Sequence, residues 1–162
     1  MIKIKVKKIR ENSKLPERQK DGDAGFDAYI DEFKTTSNQE MKKIVKWDGI
    51  EAWVSPFQRI LCCLGFSAEI PDGYYAQIVP RSGLALWDGL TILNSPATID
   101  SGYRNEWMAM IVNISDDDVK LKVGDRICQI IIRELVDFTF EEVDKLNKSE
   151  RGLDGLGSTG RG

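Results

Sequence analysis

Apolar and polar residues alternate at the start of the chain. Ile2, Ile4 and Val6 alternate with lysines, a period of two that places neighbouring side chains on opposite faces of an extended backbone. This pattern predicts a half-buried β-strand. The polar stretch that follows, residues 11–25, predicts a loop, and the sequence FDAYI at 26–30 predicts a second short strand.

Short apolar runs separated by turn residues fill most of the chain after residue 57. The turns between them include PDG, RSG, WDG, DSG and VGD, in which glycine and aspartate favour chain reversal. Several short strands at such spacing predict an all-β sandwich or barrel. The predicted strands lie in RILCCLGFSAEI (59–70), YYAQIVP (74–80), LTIL (90–93), WMAMIVNI (107–114), VKLKVG (119–124) and RICQIII (126–132).

Two stretches depart from this pattern. Residues 32–53 are less regular. The sequence TTSNQ at 35–39 predicts a loop, and EMKKIVKWDGIEAW at 40–53 fits either a hairpin or a helical turn, although Asp48-Gly49 predicts a tight turn. The sequence FEEVDKLNK at 140–148 carries apolar residues three apart, which predicts one or two turns of helix near the C-terminus.

The chain ends in a glycine-rich stretch, RGLDGLGSTGRG at 151–162. Glycine lets backbone N–H groups approach a phosphate closely, and such a stretch without an ordering ligand is expected to be flexible. We therefore expect one globular domain over residues 1–150, followed by a flexible arm over residues 151–162.

Composition narrows the class of protein. The chain has 162 residues, a net charge of −3 and a pI of about 5.1, which argues against a general nucleic-acid binder. No apolar run approaches the length of a membrane span, and no signal peptide is expected. Three cysteines, two of them adjacent, make a poor disulfide framework and fit a reducing cytoplasm.

The sequence contains no histidine. This absence excludes a Ser-His-Asp triad, a Cys-His pair and most zinc sites. Any acid–base chemistry must therefore use aspartate, glutamate, lysine, tyrosine or cysteine.

Two turns carry candidate chemistry. Arg81 and Ser82 follow an apolar strand and precede glycine, which fits either an anion site or an ordinary turn with a surface arginine. Asp100 precedes Ser-Gly and predicts a hairpin tip, where the carboxylate acts either as a turn-forming group or as a general base. Tyr103 fits either a pocket wall or the core.

A third turn precedes the strand RICQIII. Regular alternation predicts Arg126 and Cys128 on one face of that strand and Ile127 and Gln129 on the other. Gln129 occupies either an edge position or a buried position from which its amide reaches a ligand.

Five stretches taken together, in their order, resemble the motifs of the trimeric dUTP pyrophosphatase (dUTPase) family over nearly the whole chain. The resemblance implies a distorted jelly-roll fold and a homotrimer whose active sites are shared between chains. It also implies that the C-terminal arm closes over the nucleotide bound at a neighbour. The five stretches are DAGFDAY, PRSGLA, IDSGYRNE, GDRICQ and RGLDGLGSTG.

The resemblance also implies roles for individual residues. Asp100 matches the aspartate that activates water for attack on the α-phosphorus of dUTP, giving dUMP and pyrophosphate. Tyr103 matches the tyrosine that packs on deoxyribose, and Asn94 and the backbone at Ile99 match positions that contact uracil. Asp27 matches the aspartate that holds waters around a Mg²⁺ ion on the triphosphate. The remaining implied substrate contacts are Arg81, Ser82, Gly83, Gln129, Arg151, Leu156, Gly157, Ser158 and Thr159.

The chain departs from the family pattern in three places. Leu156 stands where an aromatic usually covers uracil, so stacking is lost unless Trp87 or a tryptophan of residues 33–53 replaces it. Relaxed nucleotide specificity is one alternative that follows. Ala97 and Asn105 stand where glycine is usual, which leaves the local backbone geometry open.

Two other functions compete with dUTP hydrolysis. The related dCTP deaminases need a glutamate at the position of Met110, and a thioether cannot move a proton. A non-enzymatic binding protein on the same fold is the second alternative. Some phage relatives bind protein partners through inserts, so residues 33–53 are a candidate surface for a protein partner.

Overall fold

The computed structural model describes residues 2–34, 45–153 and 155. The regular secondary structure of the described residues consists of short strands and one short helix, which confirms the all-β prediction. The strands are β1 (Lys5–Lys8), β2 (Phe26–Tyr29), β3 (Glu32–Lys34), β4 (Val45–Trp47), β5 (Glu51–Val54), β6 (Arg59–Cys63), β7 (Phe66–Glu69), β8 (Tyr74–Pro80), β9 (Leu90–Ile92), β10 (Ala97–Ile99), β11 (Met108–Asn113), β12 (Val119–Lys122) and β13 (Arg126–Glu134), with helix α1 at Ser82–Trp87.

Two four-stranded antiparallel sheets form the body of the protein. Their strand orders are β10–β8–β13–β2 and β3–β6–β11–β9. A single core takes apolar side chains from both sheets, and within it the rings of Phe66 and Trp107 lie 5.2 Å apart. Strand β1 pairs with β7, and a smaller sheet has the order β12–β5–β4.

The prediction of a helix at 140–148 is wrong. These residues carry no regular secondary structure, and Phe140 is 92% exposed. A helix this short needs tertiary packing, and Phe140, Val143 and Leu146 are all exposed, at 92%, 50% and 81%.

The helix lies instead at Ser82–Trp87, directly after β8. It ends before Gly89, whose φ of +62° is the left-handed conformation that terminates helices. A side chain at Gly89 would also meet Ser115 at 2.7 Å. The WDG sequence thus forms the predicted turn, and it sets the end of the helix.

The Asp48-Gly49 turn is confirmed. Strands β4 and β5 pair antiparallel around it, and Gly49 has a φ of +96°. The Asp48 carboxylate accepts hydrogen bonds from the backbone N–H groups of Glu51 (2.8 Å) and Ile50 (2.9 Å), which lower its pKa. Strand β5 also pairs with β12, which joins this part of 33–53 to the domain. Residues 35–44 lie outside the described residues.

The N-terminal strand forms as predicted, but its apolar face is buried only in part: Ile4 packs against the core, whereas Ile2 and Val6 are exposed. All four residues of β1 are exposed, including Val6. The apolar side chains of Ile2, Ile4 and Val6 line an open groove of about 640 Å³, whose floor includes Phe66 and Trp107. The apolar face formed by Ile2, Ile4 and Val6 therefore exists, but the groove that it lines is open to solvent in a single chain.

Candidate active site

Asp27 on β2 is the centre of a cluster of predicted site residues. Its side chain is 3% exposed, and its two carboxylate oxygens accept three hydrogen bonds. Oδ1 accepts from Arg81 Nε at 3.3 Å and Gln129 Nε2 at 3.2 Å, and Oδ2 accepts from Arg126 Nη1 at 3.1 Å. A buried carboxylate is tolerated when it is paired and hydrogen-bonded in this way.

Arg81 is fixed at a defined point of the backbone. It is the N-cap residue of α1 and has extended dihedrals, with φ −86° and ψ 131°. Its Nη1 also donates to the backbone carbonyl of Arg126 at 3.1 Å. Arg81 and Arg126 line a pocket of about 340 Å³ together with Lys120 and two acidic residues, Asp88 and Asp125. Because an arginine carries five N–H donors, both guanidiniums keep donors for an anion in this pocket.

The predicted alternation along β13 is wrong at its start. The strand pairs Gln129 with Asp27 and Cys128 with Ala28, but it pairs Arg126 with Tyr29, so the register shifts between Arg126 and Cys128. This β-bulge changes the phase of the strand. As a result, Arg126 and Gln129 both reach Asp27, although regular alternation would put them on opposite faces.

Cys128 lies beside this cluster. It is fully buried, and burial, followed by the nearby Asp27 carboxylate, raises its pKa to about 12 against the opposing effect of Arg81. The thiol is therefore protonated near neutral pH, and it is not an activated nucleophile.

Asp100 lies on the segment that connects β10 to β11. The predicted hairpin is wrong, because β10 pairs with β8 in one sheet and β11 pairs with β6 and β9 in the other. A turn does form, with the N–H of Tyr103 donating to the carbonyl of Asp100 at 3.1 Å. The Asp100 carboxylate is exposed, as is Asn94, and Ile99 is partly buried.

Tyr103 is held at both ends. Its ring packs against the core, and its hydroxyl donates to the backbone carbonyl of Glu106 at 3.2 Å. This fixes the orientation of the ring at the turn that carries Asp100.

Glu106 anchors the same segment through its side chain, which sequence reasoning missed. Its carboxylate accepts hydrogen bonds from Gly65 N at 3.1 Å, from Lys34 Nζ at 3.4 Å and from Arg10 Nη2. Arg10 also binds Asp31, and although burial opposes its charge, the two carboxylates raise its pKa. No sequence pattern indicates this cluster, because its members come from distant segments.

The structure thus forms two groups from the predicted residues. Asp27, Arg81 and Gln129 meet at one carboxylate, with Ser82 and Gly83 exposed in the first turn of α1. Asp100 and Tyr103 lie on the β10–β11 connection. Among the described residues, no hydrogen bond or ion pair joins Asp100 to the Asp27 cluster. Arg151 is described and exposed. The remaining arm positions, Leu156, Gly157, Ser158 and Thr159, lie outside the described residues.

No set of three or more histidine, cysteine, aspartate or glutamate residues within the described ranges is arranged to hold a metal ion. A carboxylate offers about four acceptor sites, and Asp27 uses three of them for protein donors. One acceptor site remains for a water molecule, which fits an indirect role beside a Mg²⁺ ion bound mainly by phosphate. In the described chain no helix is long and apolar enough to cross a membrane.

Comparison with known proteins decides the family. The dUTPase family model matches residues 49–160. The chain is 37% identical to the deoxyuridine 5′-triphosphate nucleotidohydrolase of Clostridium tetani over 158 residues, covering 98% of this chain and 97% of that protein. It is 38% identical to the enzyme of the same name from a Hydrogenobaculum species over 160 residues, covering 98% and 99%. The chain belongs to the dUTPase family.

Membership of the dUTPase family establishes the activity, hydrolysis of dUTP. This decides against the deaminase and the non-enzymatic alternatives. A solved structure, the dUTPase of Staphylococcus bacteriophage 80alpha with dUpNHpp, has the same fold, with a TM-score of 0.79 and 22% identity over 99% of this chain and 100% of that one. A second, a dUTPase from phage phi11 of S. aureus described with a structural Mg(II) ion, has a TM-score of 0.71 and 18% identity, covering 91% and 100%.

Proposed function

We propose that Asp100 is the general base of dUTP hydrolysis and activates a water molecule for attack on the α-phosphorus. The attack breaks the bond to the bridging oxygen and releases dUMP and pyrophosphate. The observation that carries this assignment is the cationic cluster at Asp27, because it supplies a fixed anion site on the same protein for the rest of the triphosphate. Asp100 itself is exposed at a turn and accessible to water.

The triphosphate is bound by Arg81, Ser82, Gly83 and Gln129. The two side chains that meet at Asp27 are already oriented in the absence of substrate, which lowers the entropy lost on binding. The C-terminal arm completes the site and closes over the nucleotide. Its contacts are Arg151, Leu156, Gly157, Ser158 and Thr159.

The nucleoside lies against the β10–β11 connection. Tyr103 packs on deoxyribose and leaves no room for a 2′-hydroxyl group, a role that its fixed ring supports. Asn94 and the backbone at Ile99 read the edge of uracil. A site built to hydrogen-bond one base rejects others strongly, because its polar groups are left unpaired by the wrong base.

Mg²⁺ is the cofactor of this reaction. Asp27 would hold a water molecule of the ion through the remaining acceptor site of its carboxylate, and the bound ion would neutralise charge on the phosphate oxygens. Three acceptor sites of the Asp27 carboxylate already take hydrogen bonds from protein N–H groups. This supports contact with the ion through a water molecule over direct coordination by the carboxylate.

The enzyme is a homotrimer with active sites shared between chains. Support comes from the open groove beside β1 and from the exposed segment that follows β13, in which Val136, Phe138 and Phe140 recur with a period of two. Trp107 Nε1, at the groove, is buried without a hydrogen-bond acceptor among the described residues. The segment that follows β13 in a second copy of the chain supplies apolar side chains to fill the groove and a backbone carbonyl to accept a hydrogen bond from Trp107 Nε1.

Residues 33–53 are a surface for a protein partner. The described part of this stretch exposes Trp53, which is 44% accessible on strand β5. In the cell, dUTP hydrolysis keeps uracil out of DNA and supplies dUMP for dTMP synthesis. The three described cysteines are free thiols, which fits the reducing cytoplasm.

Pyrophosphate release with Mg²⁺ from dUTP, dCTP, dTTP and UTP tests the assignment of the base. For Asp100→Asn we expect release from dUTP to fall by about 10²–10⁴-fold with an unchanged melting temperature, since the residue is exposed. Release from dUTP alone by the parent protein would also show that Leu156 has not relaxed specificity. Full activity of Asp100→Asn would overturn the assignment.

A further inference from the structure

A β-bulge brings Arg126 to the phosphate-binding cluster. In a regular strand, Arg126 would share a face with Cys128 and lie opposite Gln129. The register shift between Arg126 and Cys128 reverses this, so that Arg126 Nη1 lies 3.1 Å from Asp27 Oδ2. Bulges are frequent beside active sites, where they redirect a side chain.

Arg126 holds the cluster in two ways. Its side chain makes the hydrogen bond to Oδ2 of Asp27, while Arg81 and Gln129 share Oδ1. Its backbone carbonyl accepts a second hydrogen bond from Arg81 at 3.1 Å. The carboxylate is thus fixed at both oxygens, and its orientation determines where Arg81 Nε and Gln129 Nε2 lie.

We propose that Arg126 is a positioning residue for phosphate binding, acting through Asp27 on Arg81 and Gln129. This inference rests on the proposed role of Arg81 and Gln129 as triphosphate contacts. It gives Asp27 a second task besides holding a water of the metal, and this task exists without metal.

The test uses inhibition constants, measured with the full-length enzyme, for inorganic pyrophosphate and for dUMP. For Arg126→Gln we expect the inhibition constant of pyrophosphate and the KM for dUTP to rise about tenfold, the size of one misplaced charge-assisted hydrogen bond. The inhibition constant of dUMP should change less than about twofold. A merely structural role would weaken both ligands equally or affect only the melting temperature.

Arg133→Gln is the matched control. Arg133 lies on the same strand, is exposed, and donates to Gln77 Oε1 at 3.4 Å, outside the Asp27 cluster. We expect its inhibition constants for both ligands to equal those of the parent. Arg126→Lys should recover part of the pyrophosphate binding, because the charge remains while the fork geometry is lost.

A double substitution separates positioning from direct phosphate contact. If Arg126 acts through Asp27, then Arg126→Gln has no further effect on pyrophosphate binding in an Asp27→Asn background. A full additional loss in that background would overturn the proposal in favour of direct contact. Arg81→Gln tests the underlying assignment: if it leaves pyrophosphate binding unchanged, the proposed phosphate site fails. If Arg81→Gln weakens binding and Arg126→Gln does not, only the present inference fails.

Discussion

Two buried carboxylates, Asp27 and Glu106, meet similar partners and serve different ends. Asp27 is 2% exposed and Glu106 is 8% exposed, and each is paired with two cationic side chains. Two of the three donors at Asp27, Arg81 and Arg126, line an open pocket. The donors at Glu106 come from the N-terminal loop, from β3 and from a backbone N–H group at Gly65.

The difference shows what a buried ion pair can do besides stabilise. Such a pair contributes little net stability over an apolar replacement, yet removing one partner is costly because the other stays desolvated. At Asp27 the carboxylate orients Arg81 and Gln129, which we propose as contacts of the triphosphate. At Glu106 the carboxylate joins segments that lie far apart in sequence. Among the described residues, the link from Glu106 to the turn that carries Asp100 is its backbone carbonyl, which accepts a hydrogen bond from the Tyr103 hydroxyl.

The largest expected effects come from matched isosteric substitutions of the two carboxylates. Glu106→Gln should lower the free energy of unfolding by about 2 kcal/mol, because Arg10 keeps Asp31 and both cations stay partly exposed. Its kcat/KM for dUTP should stay within about threefold of the parent. Asp27→Asn should lower kcat/KM by about 100-fold, since the negative charge between Arg81 and Arg126 is lost and only one of the two acceptor oxygens remains. Urea unfolding and steady-state kinetics measure the two quantities.

The exposed Lys5–Glu69 pair provides the baseline for this comparison. Its nitrogen and oxygen lie 3.0 Å apart, and both side chains are largely in solvent. Lys5→Gln should change the free energy of unfolding by less than about 1 kcal/mol. An equal loss of activity in Glu106→Gln and Asp27→Asn would remove the distinction between the two carboxylates.

Sequence patterns predict the strands and the candidate site residues better than they predict how the strands pair and where each side chain points. Period-two alternation and the Asp48-Gly49 turn depend on neighbouring residues alone, so they can be predicted without knowing the fold. The apolar spacing at 140–148 does not produce a helix, because a short helix requires a core to pack against and Phe140 is 92% exposed. The two sheets that flank Asp100 are likewise set by long-range pairing.

The sequence indicates which residue types form the candidate site, but it does not indicate which other residues hydrogen-bond to them. Resemblance pointed to Asp27, Arg81 and Gln129, and the structure brings these three together. Arg126 was set apart from them by regular alternation, and a bulge is not visible in a single sequence. Arg10 and Glu106 lie 96 positions apart, beyond the reach of any local pattern.

An effect of at most the same size is expected from two thiols that report on the two clusters separately. Burial and then Glu106 raise the pKa of Cys63 to about 11, and Cys128 lies beside Asp27. Both thiols are buried, so a thiol reagent reaches them only after local opening. Inorganic pyrophosphate at about 100 times its dissociation constant should slow labelling of Cys128 by up to about 100-fold and leave Cys63 within about twofold.

Variants with a single thiol make this measurement specific. In Cys62→Ala/Cys128→Ala the label reports on Cys63, and in Cys62→Ala/Cys63→Ala it reports on Cys128. Equal slowing at both thiols would mean that the ligand stabilises the whole domain, and the two clusters would then be parts of one cooperative unit.

The smallest effect is expected where the Glu106 cluster touches the site. Tyr103→Phe removes the hydroxyl that donates to the Glu106 carbonyl and should lower the free energy of unfolding by about 1 kcal/mol. Because the ring stays packed against the core, the ratio of kcat/KM for dUTP over UTP should remain within about twofold. Tyr75→Phe, whose hydroxyl has only a 3.5 Å contact with Gln77, is the control for loss of a hydroxyl. If Tyr103→Phe admits UTP, the hydroxyl is needed to hold the ring against the sugar, and the Glu106 cluster then contributes to specificity as well as to stability.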